Sequence, residues 1–206
     1  MYVKIRHLTK TIKRKVVLRD VNAEFERGNI YGIVGPNGSG KTMLLRAICG
    51  FIRPDNGMVS IDGKPVEFNK KLPESVGVII ENPGFIPSQS AMENLRYLAD
   101  INHAFDQDEI MRLLDLFGLR NHAQEQVRSY SLGMRQKLAI VQALMEHQPL
   151  ILLDEPTNGL DEHSVSVFLE EMKRQRDMGR TVLIASHHSD ELSQIADHLY
   201  LMSDGV

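Results

Sequence analysis

The chain has 206 residues, 42% of them hydrophobic and 25% charged, enough to bury one substantial core and too few for two full-sized domains. A formal net charge of −3 gives no global attraction to nucleic acid, no stretch approaches the ~18 to 20 apolar residues of a membrane span, and the first ten residues lack the apolar core of a signal peptide. A cytosolic globular chain without a nucleic-acid partner is expected, and the lone Cys49 excludes an internal disulfide and any cysteine-based zinc cluster.

Residues 2 to 7 and 16 to 25 carry β patterns built on Val3, Ile5, Val16, Val17, Leu18, Val21 and Phe25. The basic clusters Lys13-Arg14-Lys15 and Lys70-Lys71 are too short for a nucleic-acid stripe and read as solvated loop charges. Arg27-Gly28-Asn29 then turns the chain into an apolar strand over 30 to 34, which runs straight into Gly35, Pro36, Asn37, Gly38, Ser39, Gly40, Lys41 and Thr42. This G-x-x-x-x-G-K-[ST] run, between a strand and a helix, predicts a phosphate-binding loop. Its glycines let successive N–H groups point at an anion, and the following helix adds its free N-terminal donors and positive dipole end. Lys41 would reach the terminal phosphates and Thr42 would offer its hydroxyl to Mg²⁺.

The helix over 41 to 49 has Leu44, Leu45 and Ile48 on one face, Cys49 as a small buried hydrophobe, and Gly50 where a left-handed C-cap is wanted. Asp55-Asn56-Gly57 and Asp62-Gly63 bracket a short strand over 58 to 61, and residues 76 to 80 form a buried strand. After Pro83-Gly84 the pattern turns helical through residue 147, with Asp106 as an N-cap and Gly118 as a stop. Beyond Pro149, strands are expected over 150 to 153, 181 to 185 and 198 to 202. A helix capped by Asp161 and ending near Gly179 lies between the first two, and a short one over 190 to 196 follows the second. The alternation predicts an α/β fold: a phosphate-loop NTPase core with a mixed, largely parallel sheet, a small antiparallel β layer and a helical insert. One domain spans 1 to 206, with its core and β layer in 1 to 84 and 150 to 206 and a helical subdomain in 85 to 149.

The strand ending in Asp154-Glu155 supplies what the loop lacks, because Mg²⁺ held by Thr42 needs a carboxylate at a neighbouring strand end. Asp154 fits that place, and Glu155 beyond it is positioned to take a proton from an attacking water, work worth a factor of ~10² to 10⁴. The alternative is a pair of solvated acids capping the next turn. His187 follows another strand at the carboxyl edge, where open α/β sheets bind ligands, and would contact the γ-phosphate or orient the water. A satisfied surface histidine is the competing reading, and only position favours His187 over His188.

Together these residues resemble the nucleotide-binding domains of ABC transporters over essentially the whole chain: GPNGSGKT at 35 to 42, SYSLGMRQKLAIVQAL at 129 to 144, LILLDEP at 150 to 156, NGLD at 158 to 161 and ASHH at 185 to 188. The segment at 129 to 144 discriminates best, since other phosphate-loop ATPases lack it. The resemblance implies ATP and Mg²⁺ as ligands and two cassettes, identical or different, paired head to tail, each placing Ser131 and Gly133 on the nucleotide of its partner. A helix start suits that task physically, although Ser131 is also an ordinary N-cap. Asp161, in the NGLD turn, joins the nucleotide site on the same ground.

Four positions depart from the family pattern. Leu132 and Met134 stand in a signature that usually reads L-S-G-G-Q, and Ile12 stands where an aromatic ring usually stacks on adenine. Glu81 replaces the glutamine that senses Mg²⁺ or the attacking water. A carboxylate binds Mg²⁺ well but cannot donate a hydrogen bond when ionised. This glutamate, in IIENPGFIPSQSAMENL, is similar to the cassettes of lantibiotic-immunity and bacitracin-type exporters. The implied function is the ATPase subunit of a bacterial exporter, held at the inner face of the membrane by a membrane-spanning permease. That partner would dock beside loop 81 to 90 and the helical insert, where Phe85, Ile86 and Pro87 are apolar, unless these pack internally. A non-transport ABC ATPase and a regulatory cassette that binds ATP without hydrolysing it are the alternatives.

Overall fold

The computed structural model describes residues 1–72, 74–81 and 84–206. Among them, five strands form a parallel sheet: β3 (Ile30–Val34), β6 (Val76–Ile79), β7 (Leu150–Asp154), β8 (Thr181–Ser186) and β9 (His198–Leu201), in the order β6-β7-β8-β3-β9. Four more form an antiparallel layer: β1 (Val3–Ile12), β2 (Lys15–Phe25), β4 (Asn56–Ile61) and β5 (Lys64–Pro65), in the order β2-β1-β4-β5.

The central strands are apolar throughout because both faces of the parallel sheet are covered. Side chains alternate between two cores, as a period of two requires. Ile30, Ile151, Leu153, Val182 and Ile184 face a core shared with the helical insert, while Tyr31, Ile33, Leu150, Leu152, Leu183 and Ala185 face a second core under the antiparallel layer. Helix α1 (Lys41–Ile48) lies in the second core with Leu44, Leu45, Ile48 and the buried Cys49, whose thiol burial pushes up to about 12.

On the other face lie α2 (Ala91–Ile101), α3 (Gln107–Leu116), α4 (Leu132–Leu144) and α5 (Glu162–Asp177). Each starts on a side-chain cap: Ser90 in a reciprocal capping box with Glu93, then Asp106, Ser131 and Asp161. Among the described residues the insert has no separate core, because Leu95, Leu113 and Leu138 belong to the same cluster as Ile151 and Phe168. Among the described residues, no helix is long and apolar enough to cross a membrane.

Several elements differ from expectation. β1 continues to Ile12 through register shifts, and the two-residue β5 closes a hairpin on Asp62-Gly63. The helix expected over 190 to 196 is only α6 (Ser189–Leu192). Its continuation tightens into a turn so that Asp197 can pair with the start of β3, accepting from Ile30 N at 2.8 Å and donating its own N–H to Ile30 O at 2.9 Å.

Candidate functional site

Three neighbouring strands of the parallel sheet end at one edge, and their C-terminal residues supply the site. β3 runs into residues 35–40, β7 ends in Asp154, and β8 ends in Ser186 ahead of His187. Helix α1 packs across β7 and β8, which brings Thr42 against Asp154: the hydroxyl donates to Asp154 Oδ2 at 2.7 Å. Gly40, at φ +109°, gives the loop a backbone that side-chain-bearing residues rarely adopt, just before the helix begins.

Lys41 is 5% exposed, and its ammonium is folded onto the loop, donating to Gly35 O at 2.6 Å and Pro36 O at 3.2 Å. It also stands 3.6 Å from Glu155 Oε1, close enough for charge attraction and too far for a hydrogen bond. The other Glu155 oxygen is 2.8 Å from His187 Nδ1, which donates in the tautomer carrying its proton there, and 3.4 Å from the Ser186 hydroxyl. Glu155 has φ +48° and Glu81 φ +62°, a left-handed conformation rare for glutamate and concentrated at functional sites. Lys41 and His187 thus meet on the two oxygens of Glu155.

Burial pushes the Asp154 carboxyl above its ordinary range, and the nearby Glu155 charge adds to this, against the hydrogen bond from Thr42. Asp154 Oδ1, Glu155 Oε1 and the Ser39 hydroxyl are buried without a hydrogen-bond partner, a costly state unless a ligand completes them. This oxygen-only donor set suits a hard dication. Among the described residues, no three His, Cys, Asp or Glu side chains form a ready-made metal cage. Mg²⁺ does not need one, since it is usually bound through one or two carboxylates and completes its octahedron with water and phosphate.

A cleft of about 600 Å³ opens over the loop, lined by Ile12, Lys13, Lys15 and Val17 of the β1–β2 hairpin, by Lys41, Thr42 and Met43 of α1, and by Glu81 and Glu155. The charges of Lys13 and Lys15, expected to be merely solvated, therefore also rim this cleft. They do so because Lys13-Arg14 forms the two-residue turn between β1 and β2, both residues with positive φ. Ile12 is one of the lining residues, and no aromatic ring lines the cleft among the described residues.

A family model described as ABC transporter matches residues 18–158. The chain belongs to the ABC transporter family. It is 39% identical over 203 residues to the ABC transporter ATP-binding protein YybJ of Bacillus subtilis (strain 168), covering 98% of this chain and 93% of that one. It is 35% identical to the bacitracin transport ATP-binding protein BcrA of Bacillus licheniformis, over 98% of this chain and 67% of the relative. With the lantibiotic transport ATP-binding protein SrtF of Streptococcus pyogenes the identity is 30%, over 98% and 87%. A dimeric ATP-binding cassette in a post-hydrolysis state with ADP and Pi superposes with a TM-score of 0.90 at 25% identity, over 98% of this chain and 95% of that one. The resemblance to bacitracin and lantibiotic transport cassettes and the expected ABC ATPase fold are both right. The chain is an ATP-binding cassette, and ATP hydrolysis is the general activity of its family.

Within this cassette, the remaining expected site residues lie apart from the cleft. Ser131 caps α4 by accepting from Met134 N at 3.2 Å. Gly133 packs on the Gly159 carbonyl, where a Cβ would come within 2.9 Å. Asp161 caps α5 and also meets Lys137 at 3.3 Å; bonding to Ser164 holds its carboxyl down at about 2. Neither Ser131, Gly133 nor Asp161 lines the cleft, and among the described residues no hydrogen bond joins 131–134 to 35–42. Glu81 lines it but is 2.6 Å from Arg46, and Gln136 donates to the Pro156 carbonyl at 2.8 Å, tying α4 to the turn after Glu155. Neither Arg46 nor Gln136 stood out in the sequence. The spacing of Arg46 four residues after Thr42, on one face of α1, is the signal that could have found it.

Proposed function

We propose that this cassette is the ATP-hydrolysing subunit of a bacterial exporter, working at the inner face of the membrane with a separate membrane-spanning permease. The observation that carries the catalytic reading is the meeting of Lys41, Glu155 and His187 around the loop, with Thr42 and Asp154 hydrogen-bonded beside them. ATP would bind with its β- and γ-phosphates in the N–H groups of residues 35–42, drawing Lys41 off the Gly35 and Pro36 carbonyls. Glu155 would take the proton of the water that attacks the γ-phosphorus, with ADP leaving, and His187 would hold the Glu155 carboxylate in place. Mg²⁺, on Thr42, Asp154 and Glu81, would neutralise charge on the phosphate oxygens. The single domain would divide into a core of 1 to 84 and 150 to 206 and a helical subdomain of 85 to 149.

Docking of the permease is assigned to the loop from 81 to 90 and the adjacent insert. Asn82 and Pro83 of that loop lie outside the described residues. Asn94 holds the described part by accepting from Ile86 N at 2.7 Å and donating to Ile86 O at 3.1 Å. Phe85 packs inward against the insert core while Ile86 and Pro87 are exposed, which leaves a smaller apolar surface than the sequence suggests. The relatives named for bacitracin and lantibiotic transport support peptide antibiotics as cargo.

The test is Glu155→Gln in the purified cassette. It should bind ATP like wild type, lose at least about 10²-fold in hydrolysis rate, and accumulate as an ATP-bound dimer on size-exclusion chromatography. Turnover at the wild-type rate would remove Glu155 as the base, and a co-purifying soluble assembly in place of a multi-span membrane protein would remove the exporter.

A further inference from the structure

Glu81 follows β6 at the carboxyl edge of the sheet, and its carboxylate pairs with Arg46 at 2.6 Å. Arg46 projects from α1 four residues after Thr42, so the two side chains stand one turn apart on the same helix face. Thr42 in turn donates to Asp154 at 2.7 Å. The Arg46–Glu81 pair therefore adjoins the place where a phosphate-bound dication would sit. Two carboxylates, Glu81 and Glu155, line a cleft that must accept a polyanion, and Asp154 stands behind them on Thr42. Lys41 offsets Glu155 at 3.6 Å, and among the described residues Arg46 is the ion-pair partner of Glu81. Their side chains are 30% and 58% exposed, so the pair is weak enough to exchange.

We propose that Arg46 is the positioning residue of Glu81: its guanidinium holds the carboxylate aside in the nucleotide-free cassette and gives it up when a dication arrives with ATP. The competition between guanidinium and dication for one carboxylate sets the divalent-cation requirement of the ATPase. This rests on the reading that Thr42, Asp154 and Glu81 hold the dication of MgATP. A glutamine in place of Glu81 carries no charge for Arg46 to offset, so the device belongs to the glutamate.

Two readouts separate this from a structural role: binding of a fluorescent ATP analogue in excess EDTA, and the Mg²⁺ concentration for half-maximal ATPase at saturating ATP. Arg46→Gln should weaken metal-free nucleotide binding and lower the half-saturating Mg²⁺, each by about two- to fivefold, as expected for an ion pair of this exposure. Arg46→Lys should restore both toward wild type. In a Glu81→Gln background, Arg46→Gln should change neither, and the Glu81→Gln variant, which still binds nucleotide, controls for folding because it breaks the same pair from the other side. Equal shifts in the Glu81→Gln background, or an unchanged Mg²⁺ requirement in Arg46→Gln, would overturn the proposal while leaving the ATPase reading intact. A wild-type cassette whose ATPase is indifferent to Mg²⁺ would overturn the metal reading and this proposal with it.

Discussion

Asp154 shows at the scale of one residue what the site costs the fold. Its carboxyl is buried, bonded on one oxygen to Thr42 and unpartnered on the other, and its affinity for a proton is raised above the ordinary value of 3.8. The folded chain therefore binds that proton more readily than the unfolded one. Stability falls as pH rises from the unfolded value through the folded one, and the deficit persists at neutral pH. Asp154→Asn keeps the acceptor for Thr42 and removes the charge. It should raise the unfolding free energy of the nucleotide-free cassette at pH 7 by about 0.5 to 2 kcal/mol, while hydrolysis in Mg²⁺ collapses. Urea denaturation across acid and neutral pH checks the sign: the gain over wild type should shrink as pH falls below the folded-state value. An Asn variant less stable than wild type at pH 7 would mean that the carboxylate earns its place structurally.

Between elements, the insert is tied to the core helix α5 by charge as well as by apolar packing. Glu171 on α5, with a side chain only 3% exposed, accepts from Arg112 of α3 at 3.0 Å, from Arg174 at 2.9 Å and from Gln175 at 2.6 Å. Hydrogen bonding to Glu109 and Glu171 holds the Arg112 guanidinium firmly charged. Removing one partner of a fully buried pair costs about 3 to 5 kcal/mol; Arg112 and Arg174 are partly solvated, so Glu171→Ala should cost about 2 to 3 kcal/mol in urea unfolding. The sequence concealed this network, because only the packing of α3 decides which of the adjacent Glu170 and Glu171 is buried. By contrast, the caps Asp106 and Asp161, the stops Gly50 and Gly118, and the Asp62-Gly63 turn, though not the strand that pairs beyond it, are legible, since each rests on a local backbone need. The Lys13-Arg14 turn was not, because two basic residues with positive φ carry none of the usual Asn-Gly signal, and the rim of lysines on the cleft went unseen with it. The same division holds in the site: the loop and Asp154-Glu155 announce themselves by spacing along one stretch, whereas Arg46 meets Glu81 only after folding.

For the whole molecule, the phosphate loop and the signature segment do not meet within one chain. Ser131 is exposed at the tip of α4, Leu132 beside it is 65% exposed, and neither lines the cleft. One of the cassettes to which this chain is similar is dimeric. If each cleft is completed by the signature of another copy, damage to the two halves should complement. Lys41→Ala disables the loop of its own chain, and Ser131→Glu sets a negative charge where the partner's γ-phosphate would arrive while leaving the exposed helix start free to fold. Each variant alone should be inactive. Mixed in equal amounts, they form dimers with one cleft in which both halves are intact, and measurable ATPase should return, rising with protein concentration as association does. A mixture no more active than its components would show that one intact cleft is not enough, and full activity of Ser131→Glu alone would take the second molecule out of the site altogether.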